Sequence, residues 1–229
     1  IHEQGRGVFH SKPEAMKVKF SFSKIEIMHI ALALLALSFS FEFVLFRNEI
    51  FEGNVFANIP LIAVFFLQTL FIMAFSFVLH ELGHKYVAQK KGLWAEFRAW
   101  PAGLLLAVVM AVVSKGGFVF AAPGAVVIGP KKHGTTEFSF KTLEKKDVGH
   151  IGIIGVIINI VLAAIFGLLS IVFPAKIFTI GTQINGILAV FNLIPIAMFD
   201  GAKVFYWNKG IWLGTFLLSI FIFVLAVML

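Results

Sequence analysis

The residues of this 229-residue chain best suited to do chemistry stand between Phe77 and Lys85, in the run His80-Glu81-Leu82-Gly83-His84. On a helix, residues four apart lie one above the other, so His80 and His84 present two imidazoles to one metal ion from successive turns, with Glu81 beside it. A zinc ion held by two neutral imidazoles needs a third protein ligand and an open position for water, whose proton a neighbouring carboxylate takes. That is a hydrolase layout. With 7 His and 10 Glu in the chain, composition alone gives one H-E-x-x-H about 1% of the time. The run Ile59 to Leu79 just before it carries no charge, and a charge at mid-bilayer costs about 2.5–3.5 kcal/mol. Either these ionisable groups have a function, or they mark a helix end among headgroups and water. Gly83 leaves a notch in the helix face that admits a close backbone, or is simply tolerated there.

The third ligand must come from elsewhere. The chain has no cysteine and only two aspartates, Asp147 and Asp200, so a cysteine-ligated site and a disulfide framework are both excluded. Asp147 falls in a charged loop, where solvation is the default. Asp200 ends the stretch Asn192-Leu193-Ile194-Pro195-Ile196-Ala197-Met198-Phe199-Asp200-Gly201, in which Pro195 removes a helix hydrogen bond and leaves a non-helical lead. Local evidence supports two readings of Asp200: a carboxylate aimed at a metal, or a turn that closes the span.

The elements that position these groups are apolar. At 59% hydrophobic and 14% charged residues, with a mean hydropathy of +0.95, the chain has too little polar surface for a soluble globule and reads as an integral membrane protein. Its +7 charge is scattered through short loops, the pattern of the positive-inside rule, and nucleic-acid binding is rejected. Residues 1–15 read as a flexible or foreign arm ahead of Met16, and 16–229 as one integral membrane domain. Spans are expected over about 25–46, 59–89, 148–173, 177–198 and 210–229. Leu104 to Val113 is too short to cross and reads as re-entrant or interfacial. Phe118–Ala122 and Ala125–Ile128 flank Pro123-Gly124, a type II turn dipeptide, and predict a β-hairpin, either dipping towards the membrane next to the site or an ordinary surface hairpin between helices. Counting sides from five spans puts all Lys and Arg except Arg47 and Lys176 with the N-terminus, which favours a cytoplasmic N-terminus and a site towards the cytoplasm.

Three pieces of sequence resemble the site-2 protease family of intramembrane zinc metalloproteases: His80 to His84; Gly152 to Asn159 (GIIGVIIN), similar to that family's G-P-x-x-N segment; and Asn192 to Gly201 (NLIPIAMFDG), similar to its N-x-x-P-x-x-x-x-D-G segment. Val156 replaces the usual proline and Ala202 the usual second glycine. The resemblance implies that His80, His84 and Asp200 hold Zn2+, that Glu81 is the general base, and that Asn192, with Asn159, positions substrate or water. It further implies cleavage of a peptide bond in or near a substrate's transmembrane helix, with a β-edge close by. For Gln183 and Asn185 interhelical hydrogen bonding is the simpler role.

The expected fold is thus an all-α polytopic membrane protein of about five to six transmembrane helices, with a small membrane-associated β-hairpin after the second span. The expected activity is intramembrane zinc endopeptidase. Its partners are the bilayer and the transmembrane segment of a membrane-protein substrate, and its location is the cell membrane. A metal-ion transporter or channel would use the same His and carboxylate groups. A zinc protease of another type would draw its third ligand from Glu96, Glu137 or Glu144.

Overall fold

The computed structural model describes residues 20–51, 55–129, 143–196 and 198–228. The arm 1–15 and most of the charged loop after residue 130, Glu137 included, lie outside the described residues. Helix α1 (Lys24–Leu45) opens at Ser23, whose hydroxyl accepts the Glu26 N–H at 3.1 Å. A short α2 (Arg47–Phe51) leads to α3 (Val55–Lys90), then strand β1 (Trp94–Ala99), α4 (Pro101–Val113), β2 (Gly124–Gly129), α5 (Lys145–Val172), α6 (Lys176–Asn192), α7 (Asp200–Trp207) and α8 (Lys209–Met228). Four of these are long and apolar enough to cross a membrane: Lys24–Leu45, Ile59–Lys90, Lys145–Val172 and Lys209–Met228. Their outer faces show Leu, Ile, Val and Phe side chains, Leu217, Phe221 and Val224 of α8 among them, as surfaces bathed in lipid do.

The fourth expected span, 177–198, takes a different form. Helix α6 has 17 residues and stops at Asn192, three residues before Pro195, where the missing N–H forbids another turn. Trp212 of α8 caps the break by donating its indole N–H to the Leu193 carbonyl at 2.8 Å. The chain then runs without helix to Asp200, and Gly201 packs so closely on Leu193 that a Cβ there would overlap its carbonyl. The lead into Asp200 is therefore unwound, as Pro195 predicts.

The expected hairpin is not formed. β2 pairs antiparallel with β1, Trp94 opposite Gly129 through Ala99 opposite Gly124, and Phe118–Ala122 is not a strand. Pro123 lends its carbonyl to the Trp100 N–H at 2.8 Å, so Pro123-Gly124 leads into β2 and turns no hairpin. Phe118 and Phe120 are held instead by rings: both meet Phe191, and Phe120 also meets Trp100 and Phe199. The strand β1 leaves little signal in sequence because its six residues include Glu96 and Arg98 and follow α3 after a turn of only three residues at Gly92.

Between the two strands the chain makes a deep excursion. At its start Ala99 donates its N–H to His29 Nδ1 of α1 at 3.3 Å, and at its far end Gly116 packs against the Phe43 carbonyl and Arg47. Helix α4 thus lies along most of α1 and closes with Lys115 in the left-handed region (φ 50°) and the Gly116 N–H on the Ala111 carbonyl, a Schellman pattern. Its 13 residues rise only about 20 Å, and the chain returns beside it to β2. Leu104–Val113 is thus part of a short apolar helix, below the length of the four candidate spans. This course moves Lys115 to the Arg47 end of the bundle, where Lys176 pairs with Glu49; counting along the sequence had put it at the other end.

Candidate metal centre

His80, Glu81 and His84 occupy the last third of α3, and the broken segment after α6 delivers Asp200 to them. Asp200 Oδ2 stands 3.2 Å from His80 Nε2 and 2.8 Å from His84 Nε2, and the two Nε2 atoms are 3.0 Å apart. All three residues are buried. The other ring nitrogens are committed: His80 Nδ1 lies 2.6 Å from Asn159 Oδ1, and His84 Nδ1 2.5 Å from the Ile151 carbonyl. Both partners are acceptors, so each Nδ1 carries the proton and each Nε2 turns its lone pair to the centre. Two lone pairs and a carboxylate oxygen this close repel unless a cation lies among them. In a tetrahedral zinc site with 2.0–2.1 Å bonds, ligand atoms are about 3.3 Å apart, close to the separations seen. The donor set therefore fits Zn2+.

Room for the ion comes from α5. A Cβ on Gly155 would fall 2.5 Å from His84 Nε2 and 2.7 Å from His80 Nε2, so any larger residue would invade the ligand group. One turn further on, Asn159 holds the His80 ring and donates its amide to the Ser76 carbonyl (3.2 Å) and to Asn185 Oδ1 (2.9 Å). Asn185 in turn donates to Ser76 Oγ at 2.8 Å. This buried network fixes ring and tautomer, the usual task of the groups behind metal-bound histidines.

Glu81 lines the same pocket as the three ligands. It is 7% exposed, and its Oε2 is buried without a hydrogen-bond partner, an arrangement that costs free energy unless a water or substrate group completes it. Lys203 of α7, outside the four spans, donates to Asp200 Oδ1 at 2.8 Å. Asp200 holds this ammonium above the usual lysine range against the opposing effect of burial. Burial disfavours the Asp200 charge in turn, but a protonated His84, Lys203 and the hydrogen bonds that the two Nε2 atoms donate when protonated outweigh it and keep the carboxyl well below the usual carboxylate range.

The other sequence expectations separate cleanly. Asn192 lines the pocket, with its amide donating to the Leu188 carbonyl at 3.0 Å. Asn159 lies behind His80 and not in the open part of the pocket. Asn185 and Gln183 are interhelical: Gln183 donates to the Ala226 carbonyl at 3.2 Å. The notch at Gly83 is filled by the Ile158 side chain, with no backbone approaching it. Asp147 forms an ion pair with Lys91. Glu96 accepts from Ser23 Oγ at 3.0 Å and from Arg98 at 2.6 Å, and Glu144 precedes α5 as its cap residue. Among the described residues, His80, His84 and Asp200 are the one group of three placed to share a metal ion. Sequence reasoning missed Lys203 and the role of Gly155. A basic residue one turn after Asp200, and a glycine repeat at 149, 152 and 155, were the available signals.

No family model matches the chain, and no solved structure matches it. A curated protein of Methanocaldococcus jannaschii, named "Putative zinc metalloprotease", is 39% identical to it over 153 residues, which cover 64% of this chain and 73% of that protein. With that identity and coverage, and with a ligand set that fits zinc, the chain belongs to the family of this archaeal zinc metalloprotease.

Proposed function

We propose that the chain is an intramembrane zinc endopeptidase of the site-2 protease kind, hydrolysing peptide bonds within or near the transmembrane helices of membrane proteins. The observation that carries this reading is the convergence of Asp200 from α7 on His80 and His84, which stand on a helix that is otherwise built to cross a bilayer. The motif stands 6 to 10 residues in from the end of the Ile59–Lys90 span, about 9–15 Å along its axis, within reach of a hydrocarbon core about 30 Å thick.

Zinc held by His80, His84 and Asp200 would supply an acidified water and polarise a carbonyl. Glu81, with its unpartnered oxygen in the pocket, is placed to take a proton from the attacking water and to return it to the leaving amine. Asn159 and the Ile151 carbonyl hold the two imidazoles in register. Asn192 lines the pocket where a substrate carbonyl or water would need a polar neighbour. A transmembrane helix hides its carbonyls in its own hydrogen bonds, so the substrate must unwind before cleavage. Among the described residues β2 pairs on one side only, and Gly124, Ala125 and Val126 line the pocket. An unwound substrate strand would add to this edge in extended form. In this reading the enzyme is a multi-pass protein of the cell membrane acting in regulated intramembrane proteolysis, with the N-terminus and site end towards the cytoplasm.

The test compares wild type, Glu81→Gln and Asp200→Asn for bound zinc and for cleavage of a single-span substrate in detergent or liposomes. Glu81→Gln keeps zinc and loses cutting by at least about 100-fold; Asp200→Asn loses both. Undiminished cleavage by Glu81→Gln would sink the mechanism. Ion flux through reconstituted wild type without proteolysis would favour a transporter built on the same groups.

A further inference from the structure

Lys203 takes no part in the chemistry above, yet it touches the ligand group. Its ammonium donates to Asp200 Oδ1 at 2.8 Å while Oδ2 of the same carboxyl faces His80 and His84. The two residues are one turn apart on α7, so a single rigid element carries both. The lysine stem is laid towards the site by α5: a Cβ on Gly152 would come 2.8 Å from Lys203 Cβ and 3.3 Å from its Cδ, so only glycine leaves that path free. The Lys203 side chain is 33% exposed and Asp200 7%. Exposed ion pairs of this spacing contribute little; here the shared carboxylate is buried and its other oxygen stands 3.2 and 2.8 Å from two imidazole nitrogens. A free carboxylate offers a metal either one oxygen or both, whereas one oxygen tied to an ammonium leaves only the other.

We propose that Lys203 is a positioning residue that restricts Asp200 to one metal-facing oxygen and thereby preserves the open position that water and substrate require. This rests on the zinc-centre reading of the site. Lys203 acts through Asp200 and has no role as an acid or base.

The test uses the full chain in detergent, stripped of metal and loaded with Co2+, whose visible absorption weakens as its ligands rise from four to five or six. Lys203→Met should show a weakened band and cleave a single-span substrate about 10–100-fold more slowly. Lys203→Arg, which keeps a charged donor, should retain the wild-type spectrum and most of the rate. An unchanged spectrum in Lys203→Met overturns the proposal, and lost cleavage with an unchanged spectrum does so too, by moving Lys203 to direct contact with substrate. If the methionine variant fails to load, Lys203→Ala, which removes the ammonium without apolar bulk, is read in the same way. A wild type that cleaves nothing would overturn the protease reading and leave the cobalt comparison standing.

Discussion

Gly155 shows how much of a metal site depends on a residue that binds nothing. Alanine favours a helix interior over glycine by about 1 kcal/mol, so by propensity alone Gly155→Ala should stabilise α5. The added Cβ would stand 2.5 Å from His84 Nε2, and neither ring is free to swing aside, because Asn159 and the Ile151 carbonyl hold their far nitrogens. Gly155→Ala should therefore lower the unfolding temperature even of the metal-free protein, the overlap outweighing the propensity gain, and weaken zinc binding by about 10–100-fold, the range found when ligand support is disturbed. A chelator-competition titration beside a thermal melt measures both. Wild-type zinc affinity in that variant would show that the rings relax more easily than their hydrogen bonds suggest. At this scale the sequence was informative wherever chemistry repeats along one helix: the i, i+4 spacing of His80 and His84 and the Pro195 break ahead of Asp200 were legible. What Gly155 does was not, because it acts across a helix crossing that no local pattern encodes; the i, i+3 spacing of Asp200 and Lys203 is local, but the burial of Asp200 against the two imidazoles, which gives that pair its weight, is not.

Among the elements, the joint between α1, α3 and β1 decides where the strand pair stands relative to the ligands. Ser23-Lys24-Ile25-Glu26 reads as a capping box, but only half of it forms. The Ser23 hydroxyl caps α1, while Glu26 turns away to accept from Lys85 Nζ at 2.5 Å and from the Phe97 N–H of β1 at 3.1 Å. Lys85, the residue after His84, also donates to the Ser21 carbonyl at 2.7 Å, and both charged groups are 1% exposed. One carboxylate so links the zinc helix to the strand whose partner β2 borders the pocket. Glu26→Ala strands a buried ammonium and should cost about 3–5 kcal/mol, whereas replacing both partners by methionine should restore most of that loss. Thermal unfolding in detergent of the two variants beside wild type measures the difference; equal destabilisation by both would show that the pair contributes no coupling. The long apolar helices were legible from composition and length. The strand pairing was not, because Pro123-Gly124 signals a local turn while the true partner of β2 lies beyond α4, and strand pairing at that separation leaves no trace in a local window.

For the whole molecule, the deep course of α4 changes which charges share a side, and topology follows from that. Gly116 lies against Phe43 and Arg47, so Lys115 joins Arg47 and Lys176 at one end of the bundle, while Lys90, at the close of α3, stands at the end carrying the site. Since the chain has no cysteine, single cysteines report without background. If the positive-inside rule sets the orientation, Lys115→Cys and Lys176→Cys should react in intact cells with a membrane-impermeant maleimide, and Lys90→Cys only after the membrane is opened. Reaction of all but Lys90→Cys requires two separate conditions, the reach of α4 and the orientation set by the positive-inside rule, and the experiment distinguishes them. Should Lys115→Cys behave like Lys90→Cys while Lys176→Cys stays reactive outside, the excursion beside α1 would be wrong and the orientation intact. Should Lys90→Cys react from outside and the other two fall silent, the fold would stand and the site would face away from the cytoplasm.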